Sequence, residues 1–162
     1  MEIKEHWPEI RQHLRNSFST NFHASIASVD ENQMPTVTPI GSLFLNRDQS
    51  GFYFEKFPTK LPQNSIANKN ICVLIVNSGT LFWLKALFIG EFKSYPAIKL
   101  YGQLGEKRMA TEVEIKRLKA RMRITRWLKG NDYLWGTMDV VRDITFTNAE
   151  CINLGKMTKG LL

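Results

Sequence analysis

The chain has 162 residues, 43% of them hydrophobic and 23% charged, and a net charge of +7. That is one domain's length, enough to bury a core, with the composition of a soluble globular protein. No run reaches the ~18 apolar residues that span a bilayer, the N-terminus MEIKEHWPEIRQ lacks the apolar centre of a secretory leader, and the two cysteines, Cys72 and Cys151, lie too far apart in sequence to suggest a disulfide framework, so no membrane and a reducing cytoplasm are expected.

Residues 1–17 read as an amphipathic helix with Pro8 near its start and Ile10 and Leu14 on one buried face. Phe22–Val29 follows as a strand in which small and apolar residues alternate. Asp30-Glu31-Asn32-Gln33 is a polar hairpin turn, and Thr36–Leu45 is the second strand. Pro39 and Gly41 are unusual inside it: proline removes a ladder donor, and glycine marks a bulge or a close approach by another group. Gly51–Phe54 is the third strand. The joint that follows, Phe57–Asn64, sets the Thr59 hydroxyl, the Lys60 ammonium and the Asn64 amide beside the start of a short helix, Leu61–Lys69. Such a place suits a phosphate, because unpaired backbone N–H groups and the helix dipole both favour an anion.

Ile71–Val76 is a buried strand by its continuous apolar run. Residues 80–90 hold a helix, Leu81–Ile89, so apolar that it is expected to be buried: on its own barrel, at a subunit interface or over a ligand. Ile98–Gly105 is a strand. Thr111 and Glu114 match a capping box, opening a basic helix over 111–128. Tyr133–Met138 is an aromatic loop, Val140–Thr147 and Glu150–Leu154 are the closing strands, and Gly155–Leu162 is a short tail. About six strands joined mostly by hairpins, with helices beside them, make a mainly β chain, and a closed or nearly closed antiparallel barrel hides their edges.

Charge is concentrated. Between Glu106 and Lys129, nine basic residues (Lys107, Arg108, Lys116, Arg117, Lys119, Arg121, Arg123, Arg126 and Lys129) face three acidic ones, a net +6. No nucleic-acid-binding motif accompanies them, so the expectation is the solvated face of one helix, with nucleic acid as the disfavoured alternative. His6, His13 and His23 have no cysteine partners at metal-ligand spacing, and His6 and His13 read as surface residues. There is no nucleophile elbow, no Walker A loop, no dinucleotide fingerprint and no prominent carboxylate pair. An enzyme built this way leaves the chemistry to a cofactor.

The ordered series Ala24–Asp30, Pro35–Ser42, Phe52-Tyr53-Phe54, Thr59-Lys60, Asn64, Asn70–Ile75, Leu100–Gly105 into Thr111-Glu112, and Leu134-Trp135-Gly136 before Val141–Phe146 resembles the pyridoxamine 5′-phosphate oxidase-like family, the FMN-binding split barrels. The resemblance spans about 130 residues. It implies one six-stranded split-barrel domain over 1–162 that forms a homodimer with flavin sites at the subunit boundary. It places Thr38, Pro39, Ile40, Gly41 and Ser42 beside the isoalloxazine, largely through backbone, with Phe54 and Glu55 at the flavin edge. Thr59 and Lys60 hold the phosphate, with Asn64 nearby, and Trp135 and Arg142 face the substrate. Gly41 is also readable as a bulge, and Phe54 as core. The implied activity is an FMN-dependent oxidoreductase taking a hydride from a nicotinamide donor or a small reduced substrate. The chain lacks the family oxidase's paired Arg-Lys, its strand glutamine and its R-L-x-P-like ending, which argues against the vitamin B6 oxidase reaction proper. The alternative is a non-catalytic split barrel holding flavin, deazaflavin F420 or haem, all of which occur in this superfamily.

Overall fold

The computed structural model describes residues 2–125 and 127–161. Arg126 of the basic segment and the chain ends Met1 and Leu162 lie outside the described residues. Helix α1 (Trp7–Phe18) starts with proline in its first turn and buries Trp7, Ile10 and Leu14, as their spacing dictates. It also buries His13, whose Nε2 lies 3.1 Å from the Ile75 carbonyl. That corrects the expectation of a surface histidine: burial is the main cause that lowers its pKa.

Seven strands form one antiparallel sheet, in the order β2-β1-β5-β6-β7-β4-β3. They are β1 (Ala24–Val29), β2 (Pro35–Ile40), β3 (Leu43–Leu45), β4 (Ser50–Phe54), β5 (Asn70–Val76), β6 (Ala97–Met109) and β7 (Val140–Cys151). The sheet has seven strands where about six are expected, and Thr36–Leu45 is not continuous. It divides at Gly41-Ser42, where the Ser42 hydroxyl takes over a ladder role by bonding to both the N–H and the C=O of Phe54, each at 3.2 Å. β2 and β3 lie at opposite edges of the sheet yet are two residues apart in the chain. The sheet must therefore curl until its edges meet, which makes it a barrel split at Gly41-Ser42.

β7 runs unbroken where two strands are expected. The β6–β7 ladder is irregular at two places: at Tyr101/Gly102 the extra residue is Thr147 of β7, and at Leu104/Lys107 it lies in β6. Gly102 sits at the first of these, where any Cβ would lie 2.3 Å from the Thr145 carbonyl oxygen, so only glycine fits.

Helix α2 (Lys60–Ala67) joins β4 to β5, and α3 (Thr80–Ile89) joins β5 to β6. The inner face of α3 packs Phe82 and Trp83 against Phe92, at ring distances of 5.3 and 5.1 Å. Its outer face is not buried on its own barrel: Leu81, Leu84, Leu87 and Phe88 are exposed in the single chain, Phe88 by 93%. Apolar residues surround the whole helix, and one chain covers only one side of it.

Helix α4 (Glu112–Arg121) has the anticipated capping box, with the Glu114 N–H donating to Thr111 Oγ1 and the Thr111 N–H to Glu114 Oε2. It ends earlier than residue 128. A 3-10 turn (Met122–Thr125) follows, in which the Thr125 hydroxyl bonds to the Met122 carbonyl and to buried Asn131, the local competition that ends helices. α5 (Lys129–Trp135) occupies much of the expected aromatic loop. A second 3-10 segment (Gly155–Leu161) replaces the tail. Two apolar clusters result: the barrel interior with α1, and Phe44, Phe52, Phe54, Leu118, Met138 and Val141 beneath α4.

Candidate functional site

The split in the barrel is lined by a pocket of about 300 Å³. Its floor is Thr38, Pro39, Ile40, Gly41 and Ser42 with Phe54, and its walls are Phe57, Pro58, Trp135 and Met138. Seven sequence-predicted site residues, from three separate parts of the chain, therefore converge here.

The backbone of β2 explains what the floor can offer. The Asp30 N–H bonds to the Met34 carbonyl at 3.0 Å, closing the β1–β2 hairpin. Hydrogen-bonded pairs then alternate along the ladder, so Thr36, Thr38 and Ile40 bond to Ser28, Ile26 and Ala24. Pro35, Val37 and Pro39 turn their backbone away from β1, at the sheet edge. Both prolines thus occupy positions where no ladder donor is needed. The outward edge presents the Val37 N–H and three carbonyls, a strip able to pair with the polar rim of a flat ligand.

Gly41 sets the depth of the pocket. A methyl group there would come within 3.0 Å of both Trp135 Cη2 and the Phe22 carbonyl oxygen. The Ser42 hydroxyl, already bonded to Phe54, acts structurally. Lys56, which sequence reasoning missed, holds the wall in place. Its Nζ donates to the Tyr133 carbonyl at 3.0 Å and to Thr137 Oγ1 at 2.8 Å, and lies 5.0 Å from the Phe57 ring centre. It fastens the Phe57-Pro58 loop to α5.

Thr59 and Lys60 follow Phe57-Pro58 directly, as the N-cap and first residue of α2. Both are exposed, and neither side chain has a partner among the described residues. They do not line the pocket, but the chain sets them just beyond its wall.

The structure places three expected site residues elsewhere. Asn64 is buried, and its Nδ2 donates to Ser28 Oγ and Thr36 Oγ1, both at 2.9 Å. It ties α2 to the β1–β2 hairpin. Glu55 and Arg142 face away from the pocket and form an ion pair, through the Arg142 Nε and through Nη2 at 3.1 Å. The Tyr53 hydroxyl donates to the same carboxylate at 2.8 Å, and the Lys107 ammonium stands 3.6 Å away. Burial alone would raise the Glu55 pKa, but the hydrogen bonds from Arg142 and Tyr53 and the nearby charges prevail, and it is lowered. Burial, then the carboxylate, raises Tyr53. Nothing local in the sequence signals this cluster, since Glu55 and Arg142 are 87 positions apart. Among the described residues no cluster of His, Cys, Asp or Glu could hold a metal ion, and no helix is long and apolar enough to cross a membrane.

No family model matches the chain, and no curated protein matches it in sequence. Solved structures match its fold. An FMN-binding protein from Syntrophomonas wolfei has a TM-score of 0.60 at 15% identity, over 94% of this chain and 96% of that one. A candidate pyridoxamine 5′-phosphate oxidase from Lactobacillus delbrueckii has a TM-score of 0.51 at 14% identity, over 86% and 91%. HutZ, the haem storage protein of Vibrio cholerae, has a TM-score of 0.50 at 14% identity, over 89% and 92%. The likeness is one of fold, and that fold is the pyridoxamine 5′-phosphate oxidase-like split barrel which the sequence resembles.

Proposed function

We propose that this split barrel binds FMN in the pocket at Gly41-Ser42 and acts as a flavin-dependent oxidoreductase on a small substrate other than the vitamin B6 oxidase's own. One observation carries the reading. A single pocket gathers Thr38–Ser42, Phe54 and Trp135, with an unpartnered hydroxyl and ammonium, Thr59 and Lys60, just beyond its wall. The residues fit the group. The outward edge of β2 offers a backbone donor and acceptors to the ring's polar rim. Phe54, Phe57 and Trp135 offer aromatic surface to its faces. Thr59 and Lys60 offer a hydroxyl and a fixed positive charge to its phosphate.

Bound FMN supplies the hydride and electron transfer. The chain's residues bind, orient and shield: Gly41 permits close approach, Trp135 excludes water from one side, and Lys56 fixes the wall. A homodimer belongs to this reading, since a second copy would cover the exposed Val37 and Met34 and close the site.

Haem is the second reading, prompted by the fold shared with HutZ. The described lining holds no histidine and one soft donor, Met138, which supports flavin over a histidine-ligated haem. Titrating FMN into wild-type protein and Lys60→Ala tests the proposal. Loss of affinity in a folded variant is the expected result, and full occupancy in that variant would count against it. Parallel titrations with F420 and haem read out the alternatives.

A further inference from the structure

A second pocket, of about 330 Å³, lies between α1 and α4, on the far side of the Gly41–Leu43 segment from the flavin pocket. Four arginines line it: Arg11 and Arg15 from α1, Arg117 and Arg121 from α4. Leu14 and Phe44 form part of the remaining wall, and no carboxylate lines it among the described residues. Among the described residues none of the four forms an ion pair. Arg108 shows the contrast: it is gripped by Glu114 and Asp143, both at 2.7 Å.

Two of the guanidiniums are fixed. That of Arg121 lies 3.6 Å from the Phe44 ring centre and 4.3 Å from that of Phe18. Its Nη1 donates to the carbonyls of Leu43 at 2.7 Å and Gly41 at 3.3 Å, leaving Nη2 and Nε unengaged. Arg117 lies 5.1 Å from the Phe44 and Phe52 rings and donates to Asn46 Oδ1 and the Leu45 carbonyl, both at 2.8 Å. No described side-chain nitrogen is both buried and unbonded, so the unengaged Arg121 nitrogens reach accessible surface, and Arg121 lines the pocket. Burial first, and Arg117 next, push the Arg121 guanidinium down to about 9. Burial, then Arg11, lowers Arg117. Glu114 partly offsets this at Arg117, but cations crowded together destabilise one another, and buried arginines are ordinarily paired. An anion in the pocket would relieve that repulsion and accept from the unengaged Nη2 and Nε of Arg121.

We propose that this four-arginine pocket binds a small soluble anion carrying two phosphoryl groups, with Arg117 and Arg121 as preset donors and Arg11 and Arg15 closing from the solvent side. Four guanidiniums match two tetrahedral dianionic groups, each able to accept bidentate hydrogen bonds. The volume admits such a molecule.

The test is calorimetric titration of the full chain with inorganic pyrophosphate in buffer of physiological salt. Saturable binding at one site per chain is expected, about tenfold or more tighter than inorganic phosphate because twice as many charge-assisted bonds form. The double variant Arg11→Gln/Arg15→Gln changes only α1 residues that make no tertiary hydrogen bond, so its melting temperature without ligand should match wild type. Its pyrophosphate affinity should fall about tenfold or more. Lys60→Ala should leave pyrophosphate affinity unchanged, which separates this site from the proposed flavin phosphate site. Absence of saturable binding, equal affinity in the α1 double variant, or loss of binding in Lys60→Ala would each overturn the proposal.

Discussion

Replacing Arg142 by glutamine tests whether Glu55 is an anchor of the fold. The Glu55 side chain is 5% exposed and that of Arg142 15%. The substitution removes a two-point ion pair and leaves the carboxylate with the Tyr53 hydroxyl and the exposed Lys107 ammonium. Breaking a buried pair from one side costs about 3–5 kcal/mol. Lys107, 56% exposed at 3.6 Å, offsets about 1 kcal/mol of that after solvent screening. The expected loss is therefore about 2–4 kcal/mol at pH 7.5, a fall of about 1–2 M in urea midpoint at an m-value of about 2 kcal/mol/M. The pH dependence gives the sign. In wild type the folded-state pKa of Glu55 is lowered, so the pair's contribution is present above the unfolded value and lost as pH falls. In the variant burial dominates and raises that pKa, so protonation relieves it as pH falls. The gap between the two proteins should shrink from pH 7.5 to pH 4.5. Urea unfolding at both values, completed as a double-mutant cycle with Glu55→Gln, measures it. A loss under about 1 kcal/mol at pH 7.5, or a gap independent of pH, would refute the reasoning.

Other perturbations reach other parts of the account. Gly41→Ala should push Trp135 into the pocket and weaken FMN binding about tenfold or more, measured by quenching of flavin fluorescence. Asn64→Ala removes the shared donor of two hydroxyls and should cost about 1–3 kcal/mol in urea unfolding while leaving FMN binding intact. Glu114 has a pKa lowered to about 2 by its hydrogen bonds from Arg108, against the effect of burial. Its stabilisation should hold above its ordinary value of 4.5 and fade as pH drops toward 2, seen as a smaller wild-type advantage over Glu114→Gln in acid melts.

Local rules carried far in this chain. Alternation in Ala24–Val29 gives a strand buried on one face, and the Thr111/Glu114 spacing gives a reciprocal cap. Pro39 and Gly41, which a regular strand would not contain, mark the place where the barrel splits. The floor of the pocket was legible through the family resemblance, which places Thr38–Ser42 beside a flavin. Its walls were not. Phe57, Pro58, Lys56 and Met138 meet the floor only through the curl of the sheet, which no short window encodes. The same limit hid the Glu55–Arg142 pair and the burial of His13 against Ile75. The basic segment misled in a different way. Charge suggests a solvated face, yet the long stems of Arg117 and Arg121 lie on Phe44, Phe52 and Phe18. An arginine's apolar stem and planar head let it pack inward where its charge alone would not. The outer face of α3 is apolar as its sequence reads, and one chain leaves it exposed.

The most direct test of the flavin reading is the absorbance spectrum of the protein after incubation with FMN and desalting. The account predicts retained bands near ~450 and ~370 nm, from the flavin that carries the chemistry, and their loss in Lys60→Ala. A protein that emerges colourless, or that instead takes up haem with one intense band near ~410 nm, would contradict it.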